Sequence, residues 1–333
     1  MFSPRSLAAT ACAGLAAACS LTASATDAPG TARVARWKDD KQAAFQLMFD
    51  DSIPSHLKTV IPELRRRGMI GTFYINPGKG EWKASEAQWK EIFAKGDMVP
   101  ADHTMTHRGV ADAANAEEEI GGCADIVAAL LPPGKPGPRL ISFGQPGVAK
   151  GKWNLSKEDF AALLAKHHLI DRPPFSGRGS MVAFHNAADM VGFVDKAIAK
   201  GASECIVFHG VGAEYITTPV PEFMGLLDGL DTRRDKVWLT DPVSAHKYAT
   251  ERDSAEVRTL ENSASAIRLS LTDKADPQLY DAPLTLVVGV PAGWSQCQVT
   301  QGTARSVVPV KDGAAHFDAL PGNVPVLLQS VVR

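Results

Sequence analysis

The chain predicts an α/β fold: a distorted barrel of seven strand-helix units followed by a small all-β domain. Three observations predict it. From about Arg36 to Arg252, short apolar runs alternate with amphipathic segments, the pattern of repeated strand-helix units. After Arg252 the helical periodicity stops and short β-rich runs separated by turn residues take over. Several of the apolar runs also end in acids or histidines, as barrel strands do where they feed a reactive face.

The first strand runs from Ala43 to Phe49 and leads into Asp50 and Asp51. Its helix covers Ser55 to Arg67, with Leu57, Val60, Ile61 and Leu64 on one face and Gly68 as the stop. Gly71 to Ile75 and Met98 to His103 form the second and third strands, with helices over Ser85–Lys95 and Ala116–Leu131; Pro132-Pro133 ends the latter. Leu140–Phe143 precedes a helix over Ser156–His167, capped by Ser156 with Asp159 at its third position. Leu169–Arg172, Ile206–Phe208 and Lys236–Thr240 complete the strands, each followed by a helix: Ala187–Lys200, Pro221–Leu230 and Pro242–Arg252. A doubly wound open sheet is the alternative, because strand order is not written in the sequence.

The domain limits expected are 1–25 for a secretory signal peptide, 26–254 for the barrel and 255–333 for the β domain of sandwich type. Arg5, the apolar run Leu7–Leu21 and Ala23-Ser24-Ala25 form the signal pattern, so the protein is expected to be exported, to the periplasm or outside the cell. A lipid anchor at Cys19 is the rival, disfavoured because Ala16 stands where Leu is preferred. No other stretch has the length of a membrane span.

The chain has 333 residues, 45% hydrophobic and 22% charged, with formal net charge -2. A near-neutral chain without a basic stripe argues against nucleic acid as partner and suits a neutral or weakly charged polymer. Cys123, Cys205 and Cys297 remain beyond the signal and match no zinc or redox spacing. They read as buried small hydrophobes, with a Cys123–Cys205 disulfide as the alternative.

Adjacent carboxylates repel, so Asp50 and Asp51 call for a cation or a shared proton. His103 and His107 lie four apart; on a helical turn both imidazoles reach one ion, and three protein ligands with one open position make a catalytic zinc arrangement. Neighbouring side chains on an extended segment point opposite ways, so one Asp is expected to bind metal and the other to act as a base. His209 closes Cys205-Ile206-Val207-Phe208 and is the candidate general acid. The glycines of Phe143-Gly144-Gln145-Pro146-Gly147 either present a backbone N–H to an oxyanion or form an ordinary tight turn. His56, His167, His168, His185 and His246 are read as surface or helix-end residues, and His316 as surface or cross-strand. Trp82, Trp89 and Tyr215 are candidates to stack on sugar rings, Trp89 being more at home in a core.

Met48-Phe49-Asp50-Asp51-Ser52, Val60-Ile61-Pro62-Glu63-Leu64, Gly71-Thr72-Phe73-Tyr74-Ile75 and His103-Thr104-Met105-Thr106-His107 resemble the polysaccharide deacetylase family, the NodB-homology fold of carbohydrate esterase family 4. The resemblance covers about Ala43 to Arg252. It implies a distorted barrel and a metal-dependent hydrolase that removes N- or O-linked acetyl groups from a carbohydrate. It makes Asp50 the base, and Asp51, His103 and His107 the ligands of one divalent metal, zinc first, with cobalt or nickel as alternatives. His209 is the acid in this scheme, Gly147 the oxyanion donor, and Pro146 keeps the third motif. Two departures stand out. Gly144 occupies the place of that motif's Arg, for which Arg172 is the spatial substitute expected; the Asp-Trp motif that orients the acid is not recognisable, and Asp171 is the candidate for it. An inactive glycan-binding protein on the same fold is the competing expectation, and a hydrolase of small cyclic amides the third.

Overall fold

The computed structural model describes residues 28–134, 136–172 and 186–331. The signal-like segment, Cys12, Cys19 and His185 lie outside these residues. Strand β1 (Ala32–Val34) precedes β2 (Ala43–Asp50), and a π-helical turn, His56–Val60, runs into α1 (Ile61–Arg66). Then follow β3 (Thr72–Ile75), α2 (Gly80–Ala94), β4 (Val99–Asp102), α3 (Ala113–Ala116) and α4 (Gly122–Leu130). Next come β5 (Ile141–Phe143), α5 (Lys157–Lys166), β6 (Leu169–Asp171), α6 (Ala187–Lys200), β7 (Ser203–Phe208), α7 (Val220–Asp231), β8 (Val237–Leu239) and α8 (Pro242–Ser254). All seven expected strand-helix units are present. Helix α2 starts five residues early because Trp82 belongs to it, stacked on Trp89 at 6.1 Å. Both rings are buried in the core, which removes them as sugar-stacking candidates.

Strands β2 to β8 form one parallel sheet in the order β6-β5-β4-β3-β2-β7, with β8 also on β2. All eight residues of β2 are buried, as a central parallel strand requires. One edge of β2 pairs with β7 from Ala44 to Phe49; the other is divided, β8 taking Ala43–Phe45 and β3 taking Met48–Asp50. Among the described residues β6 and β7 do not pair, so these strands make a half-barrel. Alternation along β2 sends Phe45, Leu47 and Phe49 into the core shared with the helices, where Phe49 stacks on Phe73 and Phe208 at 4.9 and 5.4 Å. Met48 packs instead with Tyr74, Ala101, Cys205 and Val207. Asp50, two residues on from Met48, shares its face.

The C-terminal part consists of β9 (Glu256–Asn262), β10 (Ala266–Thr272), β11 (Leu284–Gly289), β12 (Gln296–Gln301), β13 (Ala304–Lys311), β14 (Ala314–Ala319) and β15 (Val326–Ser330). They make one antiparallel sheet, ordered β1-β11-β14-β13-β12-β15-β10-β9. β1, from the far end of the chain, pairs with β11. The sheet nearly closes: Thr259 Oγ1 donates to the Gly30 carbonyl at 2.6 Å and Asn262 Nδ2 to that of Pro29 at 2.8 Å. Trp37, Trp238 and Tyr248 pack together where this sheet meets the half-barrel, and Arg252 lies 4.8 Å over the Trp37 ring. Cys123, Cys205 and Cys297 are buried free thiols, so the Cys123–Cys205 disulfide is not formed. No helix among the described residues is long and apolar enough to cross a membrane.

Candidate active site

In a parallel sheet every strand delivers its C-terminal end to the same side. That side receives Asp50 from β2, His103 just past β4, Gly144 past β5, Arg172 past β6 and His209 past β7. Together with Asp51, Lys79, His107, Gly147, Tyr215 and Ile216, Asp50, His103 and His209 line a cavity of about 360 Å³. A larger groove of about 670 Å³ lies at the opposite end of the strands, against the β domain, and contains none of these residues.

Asp50 and Asp51 both reach the cavity because the chain leaves the strand between them: Asp51 has φ 78° and Ser52 φ 54°. The expectation that extended backbone would turn them to opposite faces fails at that left-handed step. Asp50 is fully buried; Oδ1 accepts from Arg172 Nη1 at 2.7 Å, whereas buried Oδ2 has no hydrogen-bond partner and lies 3.6 Å from His103 Nε2. Burial raises the Asp50 carboxyl, but the Arg172 guanidinium, and then His103, which is protonated only at the low pH where Asp50 titrates, more than reverse it, to about 2.

Arg172 occupies space that Gly144 leaves. A Cβ on Gly144 would come within 2.9 Å of Tyr74 Cδ1 and 3.0 Å of Arg172 Cζ, so a side chain there and Arg172 in this position exclude each other. The guanidinium also lies 4.8 Å over the Tyr74 ring. Asp171 is exposed on the edge strand β6, paired in register with Phe143. His209 is surrounded by other groups: Asp51 Oδ2 at 3.6 Å, the Tyr215 ring at 5.6 Å, and His56.

The His103–His107 segment is not the helical turn its spacing suggests. It is a loop with Thr104 at φ 66° and His107 at φ 60°, held by its neighbours. Asp102 Oδ1 accepts from the Thr104 N–H at 2.8 Å and Thr104 Oγ1 from the His107 N–H at 3.1 Å. Glu119 takes both the N–H and the hydroxyl of Thr106, at 2.9 and 2.6 Å. Asn76 Nδ2 donates to the carbonyls of His103 and Thr104 at 2.5 and 2.9 Å. The result places the rings 5.1 Å apart and edge to face.

His103 Nδ1–H donates to the Gly144 carbonyl at 2.6 Å, which fixes the tautomer and leaves the Nε2 lone pair free to ligate. Burial pushes this imidazole down to about 4, against the pull of Asp50, so it is neutral, as a ligand must be. One ligand atom from each of Asp51, His103 and His107 falls within 4.8 Å of the others. Two imidazole nitrogens, a carboxylate oxygen and the unpartnered Asp50 Oδ2 beside them are a donor set that fits a divalent ion.

Three participants were not legible in the sequence. His56, read as a surface or helix-end residue, is fully buried, and its Nε2–H donates to the His209 carbonyl at 2.8 Å. Burial holds its imidazole down at about 4. Lys79 Nζ lies 3.2 Å from Asp51 Oδ1. Tyr215, read as a sugar-stacking candidate, donates its hydroxyl to Asp51 Oδ2 at 2.6 Å. Asp51 is raised by burial and lowered more strongly by His103 and the Tyr215 hydrogen bond. Pro146 is buried and does not line the cavity, whereas the exposed Gly147 does.

The family model described as polysaccharide deacetylase matches residues 38–141. A gellan lyase from a Bacillus species is 23% identical over 86% of this chain, which spans only 13% of that protein's length. A polysaccharide deacetylase from Bacillus cereus is 14% identical, with a TM-score of 0.38 over 59% of this chain and 92% of its own. A family 4 carbohydrate esterase from Streptomyces lividans, solved with acetate, is 14% identical, with a TM-score of 0.37 over 59% and 91%.

Proposed function

We propose that this chain, whose residues 38–141 match the family model described as polysaccharide deacetylase, is a metal-dependent hydrolase that removes acetyl groups from a carbohydrate polymer or oligosaccharide outside the cytoplasm. The observation that carries the reading is the junction of two features: the ligand atoms of Asp51, His103 and His107 within 4.8 Å of one another, and the buried Asp50 Oδ2 without a partner beside them. Asp51, His103 and His107 would hold a divalent ion, zinc first, which would supply Lewis-acid polarisation of the acetyl carbonyl.

The protein's own groups do the rest. Asp50 is kept ionised by Arg172, and its free oxygen takes a proton from the attacking water. The Gly147 N–H in the cavity lining supports the negative charge that develops on the carbonyl oxygen. His209 delivers a proton to the departing amine or alcohol as the C–N or C–O bond breaks, leaving acetate. His56 and Tyr215 hold His209 in place, through its carbonyl and its ring. N- and O-acetyl groups make the same demands on this set.

The test measures bound zinc and acetate released from acetylated chitin-type, peptidoglycan and xylan substrates. Wild type is expected to release acetate. Asp50→Asn should retain zinc but lose at least about 100-fold in kcat, and His107→Ala should lose zinc and activity together. Zinc uptake and tight glycan binding without acetate from any substrate would instead mark an inactive glycan-binding protein.

A further inference from the structure

Both oxygens of Asp51 accept a hydrogen bond from a group that transfers no proton in the reaction scheme. Tyr215 covers Oδ2 with a neutral hydroxyl at 2.6 Å. Lys79 places an ammonium 3.2 Å from Oδ1, the oxygen that His107 Nε2 also approaches, at 3.5 Å. We infer that these two residues set the ion affinity of the site in opposite directions: Tyr215 holds Asp51 as a one-oxygen ligand, and Lys79 competes with the ion for the remaining oxygen. The inference rests on Asp51, His103 and His107 being ion ligands.

Tyr215 is aimed at the site by its backbone. The residues on either side of it, Glu214 and Ile216, have φ 63° and 46°. A β-branched residue in the left-handed region is an outlier that persists only where the surroundings enforce it. Here the loop is bonded to itself directly after His209: the Gly210 N–H donates to the Tyr215 carbonyl at 3.3 Å, the Thr218 N–H to Gly210 at 2.9 Å, and the Gly212 N–H to Thr218 at 2.9 Å. The ring is 45% exposed, so burial of apolar surface does not explain its position. Its hydroxyl is spent on a carboxylate that is almost wholly buried. A neutral donor on the outer oxygen orients a ligand without repelling the ion, which is how groups behind a metal ligand raise affinity.

Lys79 acts with the other sign. An ion held by Asp51 and His107 would come close to its ammonium, and two cations at such a distance repel. The lysine side chain is 23% exposed, so it can withdraw toward solvent when the ion enters. The site therefore carries its own exchangeable counter-charge to Asp51, and ion uptake displaces it.

The experiment titrates the metal-stripped full chain with zinc alone, in competition with a chromogenic chelator, for wild type, Tyr215→Phe, Lys79→Met and His107→Ala. Tyr215→Phe is expected to bind zinc about 10- to 100-fold more weakly, and Lys79→Met at least about fivefold more tightly. His107→Ala should lose binding. The near-UV circular dichroism of the metal-free variants should match wild type; if Tyr215→Phe fails this check, Lys79→Met decides. Zinc affinity within twofold of wild type in Tyr215→Phe, or affinity unchanged or weakened in Lys79→Met, overturns the inference while leaving the ligand set standing. A wild type that takes up no zinc overturns the ligand set and the inference together.

Discussion

Replacing Arg172 by Met tests how the half-barrel keeps a fully buried carboxylate charged. Asp50 ordinarily titrates at 3.8 and is brought to about 2 in the fold, against a burial effect that alone would raise it. Each pKa unit is worth about 1.4 kcal/mol, so the depression contributes about 2 kcal/mol of stability. The sign follows from the direction: the folded pKa is lowered, so this contribution is complete above pH 4 and is lost as pH falls through 2. Without the guanidinium, burial is opposed only by the His103 and His209 imidazoles, and the expected outcome is an Asp50 carboxyl raised above its ordinary range. Stability then falls as pH rises, because the folded state binds the proton more tightly than the unfolded chain. Removing one partner of a buried ion pair costs about 3–5 kcal/mol, and that is the loss expected for Arg172→Met at pH 7. The assay is urea denaturation of the chelator-treated protein at pH 3.5 and pH 7. Asp50→Asn added to Arg172→Met should restore more than half of the loss, since the uncompensated charge is gone. Stability of Arg172→Met within about 1 kcal/mol of wild type at pH 7, or no recovery in the double variant, would refute the reasoning.

Other substitutions reach different parts of the same construction. Gly144→Ala drives a methyl group against Tyr74 and Arg172; it should cost about 1–3 kcal/mol in denaturation and depress acetate release along with it. Asn76→Ala leaves the His103 and Thr104 carbonyls without their donor, and about 1–3 kcal/mol of lost stability should come with weaker zinc retention in dialysis. Glu251 on α8 accepts from the Ala282 N–H with both oxygens, and burial raises its carboxyl to about 7 from 4.5. Because its folded pKa is the higher one, stability should fall by about 1–2 kcal/mol, discounted for solvent, as pH rises from about 4.5 to 7. Glu251→Gln should flatten that slope in melting temperatures measured at pH 5 and pH 8.

The elements of the half-barrel were legible because local rules govern them. Apolar runs such as Ala43–Phe49 form strands, Ser156 caps α5 through the Asp159 N–H, and Gly201 ends α6 in the left-handed region. In the β domain, β14 is not marked locally because Ala314–Ala319 carries no β-branched residue, and β1 is not because three residues beside a helical turn carry no signal of their own. Its strand is defined by β11, more than 250 residues later.

Residue chemistry likewise marked Asp50, Asp51, His103, His107 and His209, since acids and imidazoles at strand ends are conspicuous in a sequence. Which of their atoms meet was decided elsewhere. Sheet order brings the ends of β2, β4, β6 and β7 to one cavity and lets Arg172 fill the space beside Gly144. Left-handed residues at Asp51, Thr104 and His107 aim the side chains, and nothing in their one-letter neighbours announces those angles. Lys79, Tyr215 and His56 join the site through contacts that span 28, 164 and 153 residues. Hydrophobic periodicity and caps act over a few residues and so are written locally. Charge pairing and ligand convergence act through space, and only the folded sheet determines who stands next to whom.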